Sequence, residues 1–192
     1  MHELLAGESE APVGFAAALL SRFTGASGAV LWCGRTNHPY APGLSFYGVD
    51  PNRLIFARTA TDIQTLWAME EGLRCPELSA VLGAVSSLDL TEGRRLQLAA
   101  ERHGVTALVL RRSYRWGEAA LASSAAATRW KATPLPSPRD GMTLRRWRVE
   151  RLRCRGAMPG EYIVRWSHAA GGIALAAEAG DGYSTAARSD AA

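Results

Sequence analysis

Short apolar runs alternate with helical stripes along this chain, and that alternation restricts its fold more than any other feature. Residues 29–33, 54–57, 78–85 and 105–110 are runs of strand length, rich in Val, Leu, Ile and Ala, as expected of strands buried on both faces. Between them, Ile63, Leu66, Trp67, Met69 and Leu73 recur at helical spacing over 63–74, where Thr61 or Asp62 can cap the start and Pro76 stops the run. Leu96, Ala99 and Ala100 mark the inward side of a helix over 91–103 that Gly104 closes. An earlier helix over 11–23 carries Phe15, Leu19, Leu20 and Phe23, with Pro12 allowed in its first turn. The prolines and glycines of 37–51 leave room only for a short helix around 44–47. Strands joined through helices of this length must be parallel neighbours, so the predicted class is α/β: three layers, with a largely parallel central sheet covered on both faces.

Past Arg112 the pattern changes. Residues 117–127 are small, and 128–133, 144–154 and 161–168 alternate as strands, the last two joined by a hairpin turn at 155–160 that contains Pro159 and Gly160. These form a predicted C-terminal antiparallel extension. From residue 169 Gly, Ala, Ser and Asp dominate, which predicts one domain over 1–168 and a disordered tail over 169–192.

A chain of 192 residues that is 47% hydrophobic can bury one substantial core. The apolar run 15–20 is far short of a membrane span and lacks the flanks of a signal peptide, so the expected location is cytoplasmic, with no membrane partner. Three cysteines and four histidines lie far apart; no metal set, disulfide framework or triad is readable, and buried free thiols are expected. Trp67 and Met69 read as core at helical spacing, and Glu70 and Glu71 as solvated.

The net charge of +4 conceals an imbalance. Residues 1–93 hold 10 acidic and 5 basic side chains, whereas 94–165 hold 16 basic and 5 acidic. The excess of cations in 94–165 suggests a polyanion or an acidic protein surface as partner, and composition alone fits a solvated basic face equally well.

Particular motifs add a family. Leu66-Trp67-Ala68-Met69-Glu70-Glu71-Gly72-Leu73-Arg74, Leu88-Asp89-Leu90-Thr91 through Arg94-Arg95-Leu96-Gln97-Leu98-Ala99-Ala100-Glu101, Ala126-Ala127-Thr128-Arg129-Trp130, and Tyr40-Ala41-Pro42-Gly43-Leu44 followed by Gly48-Val49-Asp50-Pro51 resemble the ImuA family. The resemblance covers roughly residues 1–168, and the order of elements is similar to the RecA recombinase core. It implies a RecA-like domain acting in the SOS response to DNA damage, in translesion synthesis and mutagenesis. The implied partner is an ImuB-like polymerase-related protein, with RecA and DNA as further candidates. A shorter stretch, 48–112, resembles the SulA division inhibitors, and the alternative it implies is an inhibitor of a polymerising partner.

Catalytic chemistry finds no support in the residues. A phosphate-binding loop needs glycines, a Lys and a Ser or Thr; the stretch 5–14 ahead of the first helix has no Lys, and Glu8 and Glu10 would repel a triphosphate. The only lysine of the chain is Lys131. Gly83 or Ala84 stands where a magnesium-holding Asp is needed, and 33–36, matching the segment that carries the RecA catalytic Glu, has no carboxylate. The domain is expected to be a pseudo-ATPase without cofactor or metal. Candidate contact residues are Arg111, Arg112, Arg115 and Trp116, in the loop equivalent to a RecA DNA-contacting loop, with Arg129, Lys131, Arg145, Arg148, Arg151, Arg153 and Arg155. Strand alternation over 144–155 predicts Arg145, Arg151, Arg153 and Arg155 on one side with Trp147 and Val149, and Arg146, Arg148 and Glu150 on the other.

Overall fold

The computed structural model describes residues 1–6, 11–23, 28–35, 39–112, 123–136 and 145–176. Among them one sheet of nine strands organises everything else. Its strands are β1 (His2–Ala6), β2 (Ala29–Gly34), β3 (Leu54–Arg58), β4 (Leu78–Val85), β5 (Thr106–Arg112), β6 (Thr128–Leu135), β7 (Arg146–Cys154), β8 (Gly160–Ser167) and β9 (Gly172–Leu175). The helices are α1 (Ala11–Phe23), α2 (Ala41–Ser45), α3 (Asp62–Gly72) and α4 (Leu90–His103). The order across the sheet is β3-β2-β4-β5-β1-β6-β7-β8-β9, parallel from β3 through β6 and antiparallel from β6 to β9.

Helices cover both faces of the parallel half. On one face α1 and α2 pack against Leu4, Val30, Trp32, Leu82, Leu108 and Leu110. Ala16, Ala17 and Ala18 are fully buried, so α1 lies close on the strands, and its buried Phe15 and Leu20 each contribute about 1.5–3 kcal/mol. This core continues over the antiparallel half through Trp147, Val149, Val164 and Trp166. On the other face α3 and α4 cover Cys33, Val81, Val85, Ala107 and Val109. Gly83 lets α3 approach: a Cβ there would sit 2.0 Å from Met69 Sδ.

The helix ends have clear causes. Thr61 Oγ1 accepts from Gln64 N at 3.2 Å to start α3. A capping box starts α4, with Asp89 Oδ1 accepting from Glu92 N at 2.7 Å and Glu92 Oε2 from Asp89 N at 2.9 Å. Gly104, at φ 72°, takes the left-handed conformation that ends it.

Two strands exceed the sequence reading. β1 takes a central place between β5 and β6, and β9 pairs with β8 inside the stretch 169–192 expected to be a disordered tail; the ordered chain reaches at least Ala176, and 177–192 lie outside the described residues. Trp67 departs from its expected core role. Leu66, Met69 and Leu73 form the buried stripe of α3, whereas Trp67 and Ile63 share a neighbouring ridge and are 63% and 76% exposed. Of the cysteines only Cys33 is buried, and desolvation pushes its thiol up to about 12. No described helix is long and apolar enough to cross a membrane.

Candidate functional site

The carboxyl ends of the parallel strands open into a cleft of about 650 Å³. In an open α/β sheet such a crevice is where ligands bind, because connections leave neighbouring strands toward opposite faces. Here the chain leaves β2 toward α2 on one face and leaves β4 toward α4 on the other. The walls come from Gly34 and Arg35 after β2, Ala84 to Ser86 at the end of β4, and Tyr47 beside α2. Asp62, read from sequence as a possible cap, instead reaches across the cleft. Its Oδ2 accepts from Ser86 N at 2.8 Å, and its Oδ1 lies 3.7 Å from Arg35 Nη1. The one described carboxylate lining the cleft is thus already engaged. Gly14 on α1 lets Tyr47 pack against it, since a Cβ would fall 2.7 Å from the phenol oxygen, and burial raises the Tyr47 pKa. Nothing in spacing alone joins Arg35, Tyr47 and Asp62, which three separate connections bring together.

A second concavity, of about 420 Å³, lies between α1 and the antiparallel strands. Phe15, Leu19 and Phe23 from α1 face Trp130, Tyr162 and Val164 across it. At its rim His2 stacks on Phe23 at 5.8 Å, and its Nδ1 lies 2.7 Å from Thr128 Oγ1.

The opposite face of β5, β1 and β6 buries a charged cluster. Glu3 is 1% exposed; its Oε1 accepts from Ser124 Oγ at 2.6 Å and its Oε2 from Arg129 Nε at 2.7 Å, with Arg111 Nη1 at 4.0 Å. Burial lowers the Arg111 pKa, with Glu3 opposing and Arg129 reinforcing the shift. Register explains the grouping, since Glu3 sits opposite Val109 on one side and Arg129 on the other, two residues from Arg111. Arg111 and Arg129, proposed from sequence as contact residues, are therefore interior groups neutralising a buried carboxylate. Their side chains are 8% and 4% exposed.

The remaining candidates are dispersed. Arg112 is exposed at the cleft rim, and Arg115 and Trp116 lie outside the described residues. Lys131 Nζ pairs with Glu150 at 2.6 Å, and Arg148 Nε lies 3.0 Å from Glu161. Arg145 is exposed ahead of β7, its carbonyl accepting from Trp166 N at 2.9 Å.

The expected row of Arg145, Arg151, Arg153 and Arg155 on one side does not form, and a bulge is the reason. Trp130 pairs with Arg151 and Arg129 with Arg153, leaving Leu152 unopposed, and one extra residue reverses the alternation beyond it. Arg151 donates to Met158 O from Nε at 3.0 Å and Nη2 at 2.7 Å, with its guanidinium over the Tyr162 ring. Arg153 donates to Ser124 O on the other face. Arg155 Nη1 lies 3.8 Å from Glu101 of α4. These three arginines fasten the hairpin and the 123–127 connection. Among the described residues no group of three or more His, Cys, Asp or Glu could hold a metal.

Comparison with known proteins places this architecture. No family model matches the chain. Among solved structures, SulA from Pseudomonas aeruginosa superposes with a TM-score of 0.50 at 16% identity, covering 58% of this chain and 96% of that one; at that identity the likeness is one of fold. Protein ImuA from two strains of Caulobacter vibrioides is 38% identical over 172 residues, which is 84% of this chain and 70% of the relative. At that identity and coverage the chain is a member of the ImuA family.

Proposed function

We propose that the chain is a non-catalytic accessory subunit of a damage-induced translesion-synthesis complex, acting through contacts with an ImuB-like protein on a RecA-like scaffold whose nucleotide site is degenerate. One observation carries the non-catalytic part. The cleft at the strand ends has no lysine to grip a triphosphate, because the chain's single lysine is on β6, paired with Glu150. The carboxylate that lines it, Asp62, is committed to Ser86 N and Arg35. The sequence between β1 and α1 includes Glu8 and Glu10 and no lysine. A phosphate-binding loop uses a lysine at this place in the chain, and the sequence ahead of α1 has none. Membership of the ImuA family supports the translesion role, and the central β1 followed by α1 supports the RecA-like reading of the scaffold.

The test has two arms. Titration with fluorescent ATP and Mg²⁺ should show no saturable binding, and micromolar affinity would overturn the non-catalytic reading. Co-purification with an ImuB-like protein should succeed; retention of FtsZ in its place would favour a division inhibitor sharing the same fold.

A further inference from the structure

We propose that the helix-free face of β6, β7 and β8 binds the phosphate backbone of nucleic acid, with Arg146 and Arg165 as its contact pair. Neither residue belongs to the arginine row expected from sequence. The inference rests on reading the chain as a subunit that works at damaged DNA.

Register defines this face. Alternation on β6 places Lys131, Thr133 and Leu135 opposite Glu150, Arg148 and Arg146 of β7. Those three in turn oppose Glu161, Ile163 and Arg165 of β8. Their neighbours in sequence, Ala132, Trp147, Val149, Val164 and Trp166, are buried on the α1 side, so this set points the other way. No described helix lies over it, because α3 and α4 pack on the parallel half.

The charges on the face do not cancel. Lys131 is matched by Glu150 and Arg148 by Glu161. Arg146 and Arg165 remain, directly opposite each other on adjacent strands. Among the described residues neither guanidinium has an ion pair or hydrogen bond. Like charges in a directly opposed pair destabilise a sheet, so two bare guanidiniums in register are a liability unless an anion lies between them. Arginine suits that anion when it is a phosphodiester, because its planar fork donates two parallel hydrogen bonds to phosphate oxygens.

The composition of the face selects nucleic acid over an acidic protein. A protein interface has an apolar, aromatic-rich centre depleted in charge. Among the described residues this face offers half-buried Leu135 and Ile163 among charged and hydroxyl side chains and no aromatic ring. Surfaces that meet nucleic acid are more polar and far more positive.

The experiment is fluorescence anisotropy with labelled single-stranded and duplex oligonucleotides across a salt series. The proteins are the full chain, the Arg146→Ser/Arg165→Ser double variant, and an Arg94→Ser/Arg102→Ser control that removes equal charge from exposed positions on α4. The expected result is wild-type binding that weakens with salt, and for the double variant a slope of log K against log salt shallower by about 1.4 on single strands or about 1.8 on duplex. The α4 control should keep the wild-type slope. Thermal melting should show that the double variant is no less stable than wild type, since it loses a repulsion. Absence of DNA binding by wild type, an equal loss in the α4 control, or complete displacement of DNA by polyglutamate at matched charge would each overturn the proposal. Co-purification of the double variant with an ImuB-like protein separates the two failures: partner retained with DNA affinity unchanged sinks the arginine pair alone, and partner lost from wild type sinks the functional reading.

Discussion

Replacing Glu3 by Ala should cost the fold far more than a typical surface change. Glu3, Arg129 and Arg111 are all less than a tenth exposed, so solvent screens them little. The substitution leaves Ser124 Oγ and Arg129 Nε without the acceptors they meet at 2.6 and 2.7 Å, and removes the carboxylate that lies between two buried guanidiniums. Removing one partner of a buried ion pair costs about 3–5 kcal/mol, a large part of the roughly 5–15 kcal/mol that stabilises a domain. For a chain of this size each kcal/mol moves Tm by about 2–4 °C, so the expected drop is about 6–20 °C. Thermal melting followed by far-UV circular dichroism measures the drop, and urea denaturation measures the loss in kcal/mol. A triple variant, Glu3→Leu, Arg111→Met and Arg129→Met, should recover most of the loss, because well-packed apolar groups replace a buried ionic cluster at little cost. A loss below about 1 kcal/mol in Glu3→Ala would refute the reasoning.

Two other outcomes follow from the packing and the titrating groups. Gly83→Ala should destabilise by about 1–3 kcal/mol, since its Cβ would overlap the buried Met69 side chain; Gly34→Ala, whose nearest neighbour is Ala84 Cβ at 3.6 Å, should cost much less, and equal losses in urea melts would count against the argument. Burial lowers the His2 pKa and favours the neutral ring, so its contribution is full above the unfolded value of about 6.5 and is lost as pH falls through the lowered native value. Stability measured between pH 8 and 5 should fall less for His2→Gln than for wild type, and identical curves would exclude His2 as the source.

The regular elements were readable wherever local signals agreed. The helix over 11–23, the apolar strands and the Gly104 stop rest on periodicity and on residues with one conformational use. What the sequence hid depended on partners distant in the chain. His2–Ala6 is too short to show a pattern and is a strand only because β5 and β6 flank it. The stretch 172–175 looks like tail until Ile173 meets Trp166 in register. On β7 the composition was legible and the faces were not, because a single bulge opposite Arg129 and Trp130 moves Arg153 to the other side. Arg111 and Arg129 read as surface cations because Glu3, more than a hundred residues away, gives no sign in sequence that it will be buried beside them.

The position of β1 also governs how the molecule can assemble. A strand from the first six residues is the seam between the parallel and antiparallel halves, and neither of its neighbours exists until the ribosome has made residues 106–112 and 128–135. During synthesis α1 can dock early against the young strands, yet the opening strand must wait, unzipped, for most of the chain. Contacts so distant along the polypeptide close slowly, and until they do β5 and β6 each present a bare edge open to pairing with other chains. Joining of the two halves is therefore expected to be the late step, and the one most open to aggregation.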